Sequence, residues 1–248
     1  MTNNVIIEYR DVHKAFGDNT VFAGMELDIL RGETITIMGG SGIGKSVALK
    51  LLIGLLKPEQ GQILVDGQDV VPMSESEILQ IRRKAGMLFQ GAALFDSLTV
   101  GENVAYPLRE QFNLSEDEIE KRVAKYLGMV GLEGIEDLMP SELSGGMKKR
   151  VGLARAIATE PEIILYDEPT TGLDPYNTRR INELIIKMQR ELDVTSIVVT
   201  HDMASALAVS NRIALIHQKK IVTVRTVEEI KQDKDTLLKA FMEGRLEE

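Results

Sequence analysis

The sequence of 248 residues contains no cysteine. Disulfide bonds, cysteine-ligated zinc and thiol nucleophiles are therefore excluded, and the composition fits a reducing cytoplasm. Positive charge is also scarce, since 29 Lys and Arg residues face 38 Asp and Glu residues, for a net charge of −9. Because binding a polyanion needs a basic surface, this balance argues against nucleic acid as a partner.

Long apolar stretches are missing as well. The best candidate, Val47–Leu56, contains Lys50 and is shorter than the roughly 20 residues that a membrane-spanning helix needs. The first residues show no basic segment followed by an apolar one, so we expect no signal peptide. Any role at a membrane should therefore involve another polypeptide. Hydrophobic residues still make up 44% of the chain, which excludes a disordered or fibrous protein.

The order of predicted elements indicates an α/β protein. Extended segments at Val5–Val12, Val21–Leu30 and Glu33–Met38 favour an antiparallel start. Later strands alternate with helical patterns, which favours a mostly parallel sheet covered by helices. The later strands are predicted at Gly86–Phe89, Glu162–Asp167, Thr195–Thr200 and Arg212–His217, and the helices at Gly44–Leu55, Glu75–Arg83, Ser115–Val130, Ser144–Thr159, Pro175–Leu192 and Met203–Ser210.

These elements predict a single domain with an insertion. Residues 1–90 and 161–225 are expected to form the core. Residues 91–160 carry helical patterns without a convincing strand, which predicts a helical subdomain. Residues 226–248 are expected to form a tail of two short amphipathic helices.

A phosphate-binding loop is predicted at Gly39–Ser46, where GGSGIGKS fits the pattern G-x-x-x-x-G-K-[ST]. The segment follows an apolar strand and precedes a helix, as the mechanism requires. Glycines allow backbone N–H groups to point at phosphate oxygens, and the helix N-terminus adds positive potential. Lys45 would bind the β- and γ-phosphates, and the Ser46 hydroxyl would bind Mg²⁺.

Two adjacent carboxylates, Asp167 and Glu168, follow the apolar strand EIILY, at the strand end where parallel sheets place ligand sites. Asp167 is the expected Mg²⁺ partner, which leaves Glu168 free to polarise an attacking water. By itself such a pair is more often the start of a solvated loop. Together with the phosphate-binding loop it indicates a nucleoside triphosphatase.

The most discriminating segment is Leu143–Met147, LSGGM, at the start of a predicted helix. Ser144 is a good N-cap, and two glycines follow it in the first turn. Each glycine costs a helix roughly 1 kcal/mol, which is unexpected unless an anion must approach the backbone closely. An ordinary capped helix is the alternative.

In order and spacing, these motifs resemble those of the ATP-binding cassette (ABC) superfamily over nearly the whole chain. The resemblance implies the P-loop NTPase fold of ABC ATPases: a mostly parallel core sheet, an antiparallel N-terminal β part and a helical subdomain insertion. It further implies ATP hydrolysis with Mg²⁺. In such a protein Ser144–Gly146 would lie against the ATP held by Lys45 of a second copy, in a head-to-tail homodimer.

The resemblance also assigns roles. Phe16 would stack on adenine, with packing on the sheet as the alternative, and His201 would touch the γ-phosphate. Expected catalytic residues are Glu168, His201 and Gln90, and expected metal ligands are Ser46, Gln90 and Asp167. The expected nucleotide contacts are Phe16, Gly39, Gly40, Ser41, Gly42, Ile43, Gly44, Lys45, Ser46, Val47, Ser144, Gly145, Gly146 and Asp174.

Two longer segments, residues 88–110 and 139–150, look like those of MlaF-like ATPases, which energise phospholipid transporters of the Mla and MCE type. This narrower resemblance implies a location on the cytoplasmic face of the inner membrane. The implied partners are integral membrane permease subunits, an MCE-type lipid-binding protein and a small regulatory subunit.

A surface for the permease is expected just after Gln90, where apolar residues occur in a region of weak regularity. The alternative is that these residues pack the helical insertion onto the core. The residues concerned are Leu94, Phe95, Leu98, Val100 and Val104.

Other functions stay open at this stage. An importer of a polar solute would need the same motifs, because specificity resides in its partners. A cassette ATPase acting on nucleic acid would usually have a long coiled-coil insertion or a second cassette. A small-molecule kinase would have no use for LSGGM, and a phosphate-acceptor assay would identify it.

The phosphate-binding role of Lys45 is directly testable. We expect Lys45→Ala to abolish tight binding of MgATP, because the substitution removes the nearest fixed positive charge from the phosphates. Isothermal titration calorimetry measures the affinity. An unchanged dissociation constant would contradict the assignment of the loop.

Overall fold

The computed structural model describes residues 4–232, 237–242 and 245. In chain order its elements are β1 (Val5–Phe16), β2 (Asn19–Leu30), β3 (Thr34–Met38), α1 (Lys45–Leu52), β4 (Gln60–Val65), β5 (Gln68–Asp69), α2 (Glu75–Lys84), β6 (Ala85–Leu88), α3 (Val100–Gln111), α4 (Glu116–Met129), a 3₁₀ turn (Pro140–Glu142), α5 (Gly145–Ile157), β7 (Ile163–Asp167), α6 (Pro175–Leu192), β8 (Thr195–Val199), α7 (Met203–Val209), β9 (Arg212–His217), β10 (Lys220–Thr226), α8 (Val227–Gln232) and α9 (Leu237–Met242).

The N-terminal part is an antiparallel sheet with the strand order β2-β1-β4-β5. The antiparallel start is confirmed, and β1 and β2 meet at a tight turn, where Gly17 has a φ of 58°. Strand β4 was not predicted, because its sequence QGQILV has too few apolar positions to stand out. The third predicted segment, 33–38, does not join this sheet, since β3 pairs with β8 and β9 instead.

The second sheet has the order β10-β9-β3-β8-β7-β6. Pairing is parallel from β9 to β6, and β10 is antiparallel to β9. Every residue of β3, β7 and β8 is buried, as expected for parallel strands covered on both faces. The partly exposed edge strand β10 was not predicted. This parallel pairing places the carboxyl ends of β3, β6, β7 and β8 at one edge.

Helices α3, α4 and α5 form the insertion between β6 and β7. Within residues 91–160, all of which are described, there is no strand. The insertion shares a core with the sheet, since Val104 and Tyr126 belong to the same apolar cluster as Ile164 and Tyr166 of β7. The predicted fold class is confirmed, while the exact boundaries at residues 90, 160 and 225 stay predictions.

The predicted helices match the observed ones to within a few residues, with two exceptions. Helix α3 was not located individually within the insertion. Helix α1 ends at Leu52 instead of Leu55, because the chain turns at Gly54, whose φ is 65°. The predicted tail is described only in part, as α8 and α9, and residues 233–236, 243, 244 and 246–248 lie outside the described residues. Of the helices that the structure describes, none has the length and apolar character needed to cross a bilayer.

Candidate nucleotide-binding site

The loop between β3 and α1 has the backbone of an anion-binding loop. Gly42 and Gly44 have φ angles of 79° and 105°, a left-handed conformation that favours glycine. A Cβ atom on Gly44 would lie 2.1 Å from Cγ1 of Val21, so a larger residue would also clash. Gly44 is the N-cap of α1, and no acidic side chain occupies the first turn. The positive end of α1 is therefore open to an anionic ligand.

Lys45 lies at the base of this loop, where its side chain is only 6% exposed. Its Nζ donates hydrogen bonds to the carbonyl oxygens of Gly39 (3.0 Å) and Gly40 (2.8 Å). The same Nζ lies 3.8 Å from Oε1 of Glu168. Burial lowers the pKa of Lys45, and the negative charges of Glu168 and Asp167 oppose that shift. The ammonium group is thus held in a fixed place beside the loop.

Ser46 and Asp167 bring oxygen ligands together next to this loop. The Ser46 hydroxyl donates to Oδ1 of Asp167 at 2.6 Å, which joins the start of α1 to the end of β7. Gln90, two residues after β6, lines the same cavity as Ser46. Hydroxyl, carboxylate and amide oxygens are the hard ligands that Mg²⁺ accepts, and Mg²⁺ usually completes its shell with phosphate and water. The donor set therefore fits a magnesium ion that arrives with a nucleotide.

Glu168 is held by three neighbouring side chains. Its carboxylate accepts hydrogen bonds from Thr171 Oγ1 (3.0 Å) and Thr200 Oγ1 (3.3 Å), and it lies 3.0 Å from Nδ1 of His201. Burial raises the pKa of Glu168, but the hydrogen bonds from His201 and Thr171 and the charge of Lys45 outweigh it and leave the pKa below its ordinary value. The side chain is therefore an oriented, ionised carboxylate.

Sequence reasoning missed Thr171 and Thr200. Thr200 ends the predicted strand that precedes His201, and its hydroxyl side chain among apolar neighbours was the available signal. Thr171 lies in the loop after Glu168, and nothing in its sequence context marked it.

An open cavity of about 310 Å³ brings together nine of the predicted site residues. Its lining comprises Ser41, Gly42, Gly44, Lys45, Ser46, Val47, Gln90, Glu168 and His201. Gly39 and Gly40 lie next to the cavity, because their carbonyl oxygens accept hydrogen bonds from Lys45. Asp167 lies next to it as well, because its carboxylate accepts a hydrogen bond from Ser46. The side chain of Ile43 packs against the hydrophobic core instead.

The remaining predicted residues do not line this cavity. Phe16 lies at the end of β1 with 48% of its surface exposed, and Nζ of Lys14 is 5.1 Å from the centre of its ring. Ser144 is the N-cap of α5, where its hydroxyl accepts a hydrogen bond from the N–H of Met147 at 3.3 Å. Ser144 and Gly145 are both exposed. An exposed aromatic ring and an exposed helix N-terminus are both accessible to a ligand.

The signature segment (Leu143–Met147) and Asp174 meet at Asn177, which sequence reasoning missed. Asp174 is the N-cap of α6 and accepts hydrogen bonds from N (3.0 Å) and Nδ2 (2.6 Å) of Asn177. A Cβ atom on Gly146 would lie 2.5 Å from Oδ1 of Asn177, so Gly146 is needed for close packing. Packing inside the chain therefore explains Gly146. A Cβ atom on Gly145 would have no atom within 4 Å, so Gly145 is the glycine that fits the expected close approach of an anion.

Known proteins are similar to this chain in sequence and in fold. The sequence pattern of the family described as ABC transporter matches residues 22–171. The intermembrane phospholipid transport system ATP-binding protein MlaF of Haemophilus influenzae is 42% identical over 242 residues, which is 98% of this chain and 92% of MlaF. A probable ribonucleotide transport ATP-binding protein, mkl of Mycobacterium leprae, is also 42% identical, over 99% of this chain and 71% of its own length.

A solved structure is similar to this chain in both fold and sequence. It is a dimeric ATP-binding cassette in a post-hydrolysis state, bound to ADP and Pi, and it superposes with a TM-score of 0.82 and 34% identity. The alignment covers 90% of this chain and 99% of that one. Similarity of this extent in both sequence and fold, together with a cavity built from the matching motifs, leads to one conclusion: the chain belongs to the ABC transporter family, as an ATP-hydrolysing cassette.

Proposed function

We propose that this chain is the ATPase subunit of a membrane transporter that moves phospholipid across or between membranes. The observation that carries the ATPase role is the grouping of Lys45, Ser46 and Glu168 around one cavity at the carboxyl edge of the parallel sheet. For the cargo, the supporting observation is the similarity to MlaF over 98% of this chain. The reaction is hydrolysis of ATP to ADP and phosphate.

Each residue at the cavity has a distinct task. The N-terminal amides of α1 and the Lys45 ammonium bind the phosphates, and Ser46, Asp167 and Gln90 hold Mg²⁺. The bound Mg²⁺ supplies charge neutralisation on the phosphate oxygens. Glu168 orients the attacking water and accepts its proton, a role that suits a carboxylate kept ionised by its neighbours. His201 keeps Glu168 in place and contacts the terminal phosphate.

A head-to-tail homodimer completes the site. Ser144, Gly145 and Gly146 do not line the cavity of their own chain, so their predicted contact with ATP requires a second copy. The exposed N-terminus of α5 is suited to that contact. The similarity to a dimeric cassette supports this arrangement. Phe16 stacks on adenine, and Asp174 lies next to the signature segment through Asn177.

The membrane partners provide the path for the cargo. We place the dimer on the cytoplasmic face of the inner membrane, attached to permease subunits. An MCE-type lipid-binding protein and a small regulatory subunit belong to the same complex.

A polar cargo is the second candidate, since mkl is named for ribonucleotide transport. Phospholipid is favoured because MlaF is matched over 92% of its length and mkl over 71%.

The permease contact is assigned to the Phe95–Tyr106 surface, formed by these two side chains. Their ring centres are 4.9 Å apart, and Phe95 and Tyr106 are 45% and 43% exposed. The buried Asn103 holds the loop from inside: its Oδ1 accepts from the N–H of Phe95 at 2.8 Å. Val100 and Val104, two members of the expected contact surface, are fully buried instead. For these two valines the core-packing alternative is correct.

The role of Glu168 predicts a separation of binding from turnover. We expect Glu168→Gln to retain ATP binding and to lower the turnover number by about a hundredfold or more, because the amide cannot accept a proton. The variant should also form a stable dimer with ATP, visible by size-exclusion chromatography with light scattering. Turnover equal to that of the native chain in the complete transporter would show that another residue is the base.

Cargo and partners are tested by isolating the complex. We expect the tagged chain, purified from native membranes, to carry with it integral membrane subunits and bound phospholipid. Mass spectrometry of the proteins and of the extracted lipids identifies both. Recovery of a permease without phospholipid, together with ATPase activity stimulated by a nucleotide or another polar solute, would favour the second candidate.

The Phe95–Tyr106 surface predicts a defect in assembly but not in folding. Phe95→Asp places a carboxylate where an apolar contact is expected, which should cost about 2 kcal/mol or more of association with the permease. Phe112→Asp is a matched control, because Phe112 is also exposed, at 40%, and lies just after α3, whereas Phe95 lies shortly before that helix. Co-purification with the permease and thermal melting are measured for both variants. A lower melting temperature of Phe95→Asp, together with normal assembly of its folded fraction with the permease, would reject the docking role of Phe95.

A further inference from the structure

Lys149 is a buried cation that the reaction described above does not use. It lies in the second turn of α5, and only 5% of its surface is exposed. Its Nζ donates a hydrogen bond to the main-chain carbonyl of Glu168 at 3.1 Å and another to the main-chain carbonyl of Gln90. One side chain from α5, the signature helix, therefore contacts the backbone of two proposed catalytic residues.

The charge of Lys149 is not matched by a direct ion pair. In the part of the chain that the structure describes, no carboxylate oxygen lies within 4.0 Å of its Nζ. Burial lowers the pKa of Lys149, and the more distant charges of Asp167 and Glu168 oppose the shift. Taking an ammonium group out of water is unfavourable unless hydrogen bonds replace its hydration. The two carbonyl groups provide that replacement, so Lys149 and this pair of main-chain groups hold each other in place.

The backbone that Lys149 contacts at Glu168 needs to be held. Glu168 has a φ of 47°, a left-handed conformation that a residue with a side chain rarely adopts. Its N–H donates to the carbonyl of Val199 at 2.9 Å, and its carbonyl accepts from Lys149. These bonds fix the peptide groups on both sides of its Cα atom, and the direction of the carboxylate depends on them.

We propose that Lys149 is a positioning residue for ATP hydrolysis, which holds the main chain at Glu168 and Gln90 and ties both to the signature helix. The proposal rests on the proposed function, because it assumes that Glu168 is the base. Lys149 itself contacts neither the nucleotide nor the water. Its substitution should therefore change the turnover number more than the affinity for ATP.

The test compares Lys149→Met with Arg150→Met in the full chain. Methionine keeps most of the apolar stem and removes the donor. Arg150 is the matched control: it is the next residue of the same helix, it is also buried, and its Nη1 donates to two main-chain carbonyls, those of Val130 (3.1 Å) and Gly131 (2.8 Å), away from the cavity. Both variants lose a buried cation bonded to two carbonyls. Of these two residues, only Lys149 donates its hydrogen bonds to the main chain of proposed catalytic residues.

We expect Lys149→Met to lower kcat by about 10- to 100-fold, the scale of a misplaced catalytic group, with KM for ATP within about twofold of the native value. Arg150→Met should lower the melting temperature and leave kcat per folded molecule unchanged. Lys149→Arg, which keeps a donor at this position, should recover most of the rate. If Lys149→Met does not fold, Lys149→Gln serves as the second variant, since its shorter, neutral side chain keeps a polar donor in the buried position but lacks the ammonium group.

A double-mutant cycle with Glu168→Gln distinguishes positioning from general support of the fold. If Lys149 acts through Glu168, Lys149→Met should add little to the loss already caused by Glu168→Gln, as measured in single-turnover reactions. Arg150→Met should show no such interaction.

The two proposals fail in different ways. Equal losses from Lys149→Met with and without Glu168→Gln would overturn positioning through Glu168, and an unchanged kcat in Lys149→Met would overturn the proposal as a whole. Full activity in Glu168→Gln alone would instead overturn the assignment of the base.

Discussion

Hydrogen bonding between β3, β8 and β7 is the interaction on which the site depends. Their parallel register pairs Ile37 with Val199 and Val199 with Asp167, so the three strands end in the same row. The next residues along each strand begin the phosphate-binding loop, present the Thr200 hydroxyl and present Glu168. A slip of one residue would move Asp167 to the other face of the sheet and separate it from Ser46. Because these strands are buried on both faces, a slip would also break the surrounding core.

Charge balance explains how so many ionisable groups can lie together at this edge. Lys45 and Lys149 are both buried, and burial lowers the pKa of each. The negative charges of Asp167 and Glu168 oppose both shifts, so the charges of two ammonium groups and two carboxylates balance. The arrangement leaves Lys45 beside the open loop, and it leaves Lys149 against the main chain behind it. One cation is therefore available to a ligand, while the other holds the residues that meet the ligand.

The helical insertion is linked to this edge by polar contacts as well as by apolar packing. Lys149 reaches across to Gln90 and Glu168, and Gly146 allows α5 to approach Asn177 at the start of α6. Asn103 holds the loop that presents Phe95 on the outer side. The loop between β6 and α3 thus carries both Gln90 at the cavity and Phe95 on the surface assigned to the permease.

The sequence by itself determined the fold class, the family and the residues that line the cavity. The reason is that a phosphate-binding loop demands glycines, Lys45 and Ser46 at fixed spacing, and that buried parallel strands demand continuous apolar runs. It did not reveal β4, β10, Thr171, Thr200 or Asn177, because these segments and residues have ordinary compositions and acquire their role from neighbours distant in the chain. Likewise, Val100 and Val104 could not be told from an exposed apolar patch, since burial depends on which helix face meets the core. Only the tertiary structure decided that Lys149, one of two adjacent lysines in a helix, contacts both Gln90 and Glu168: side-chain direction follows from packing, and packing is a property of the whole chain.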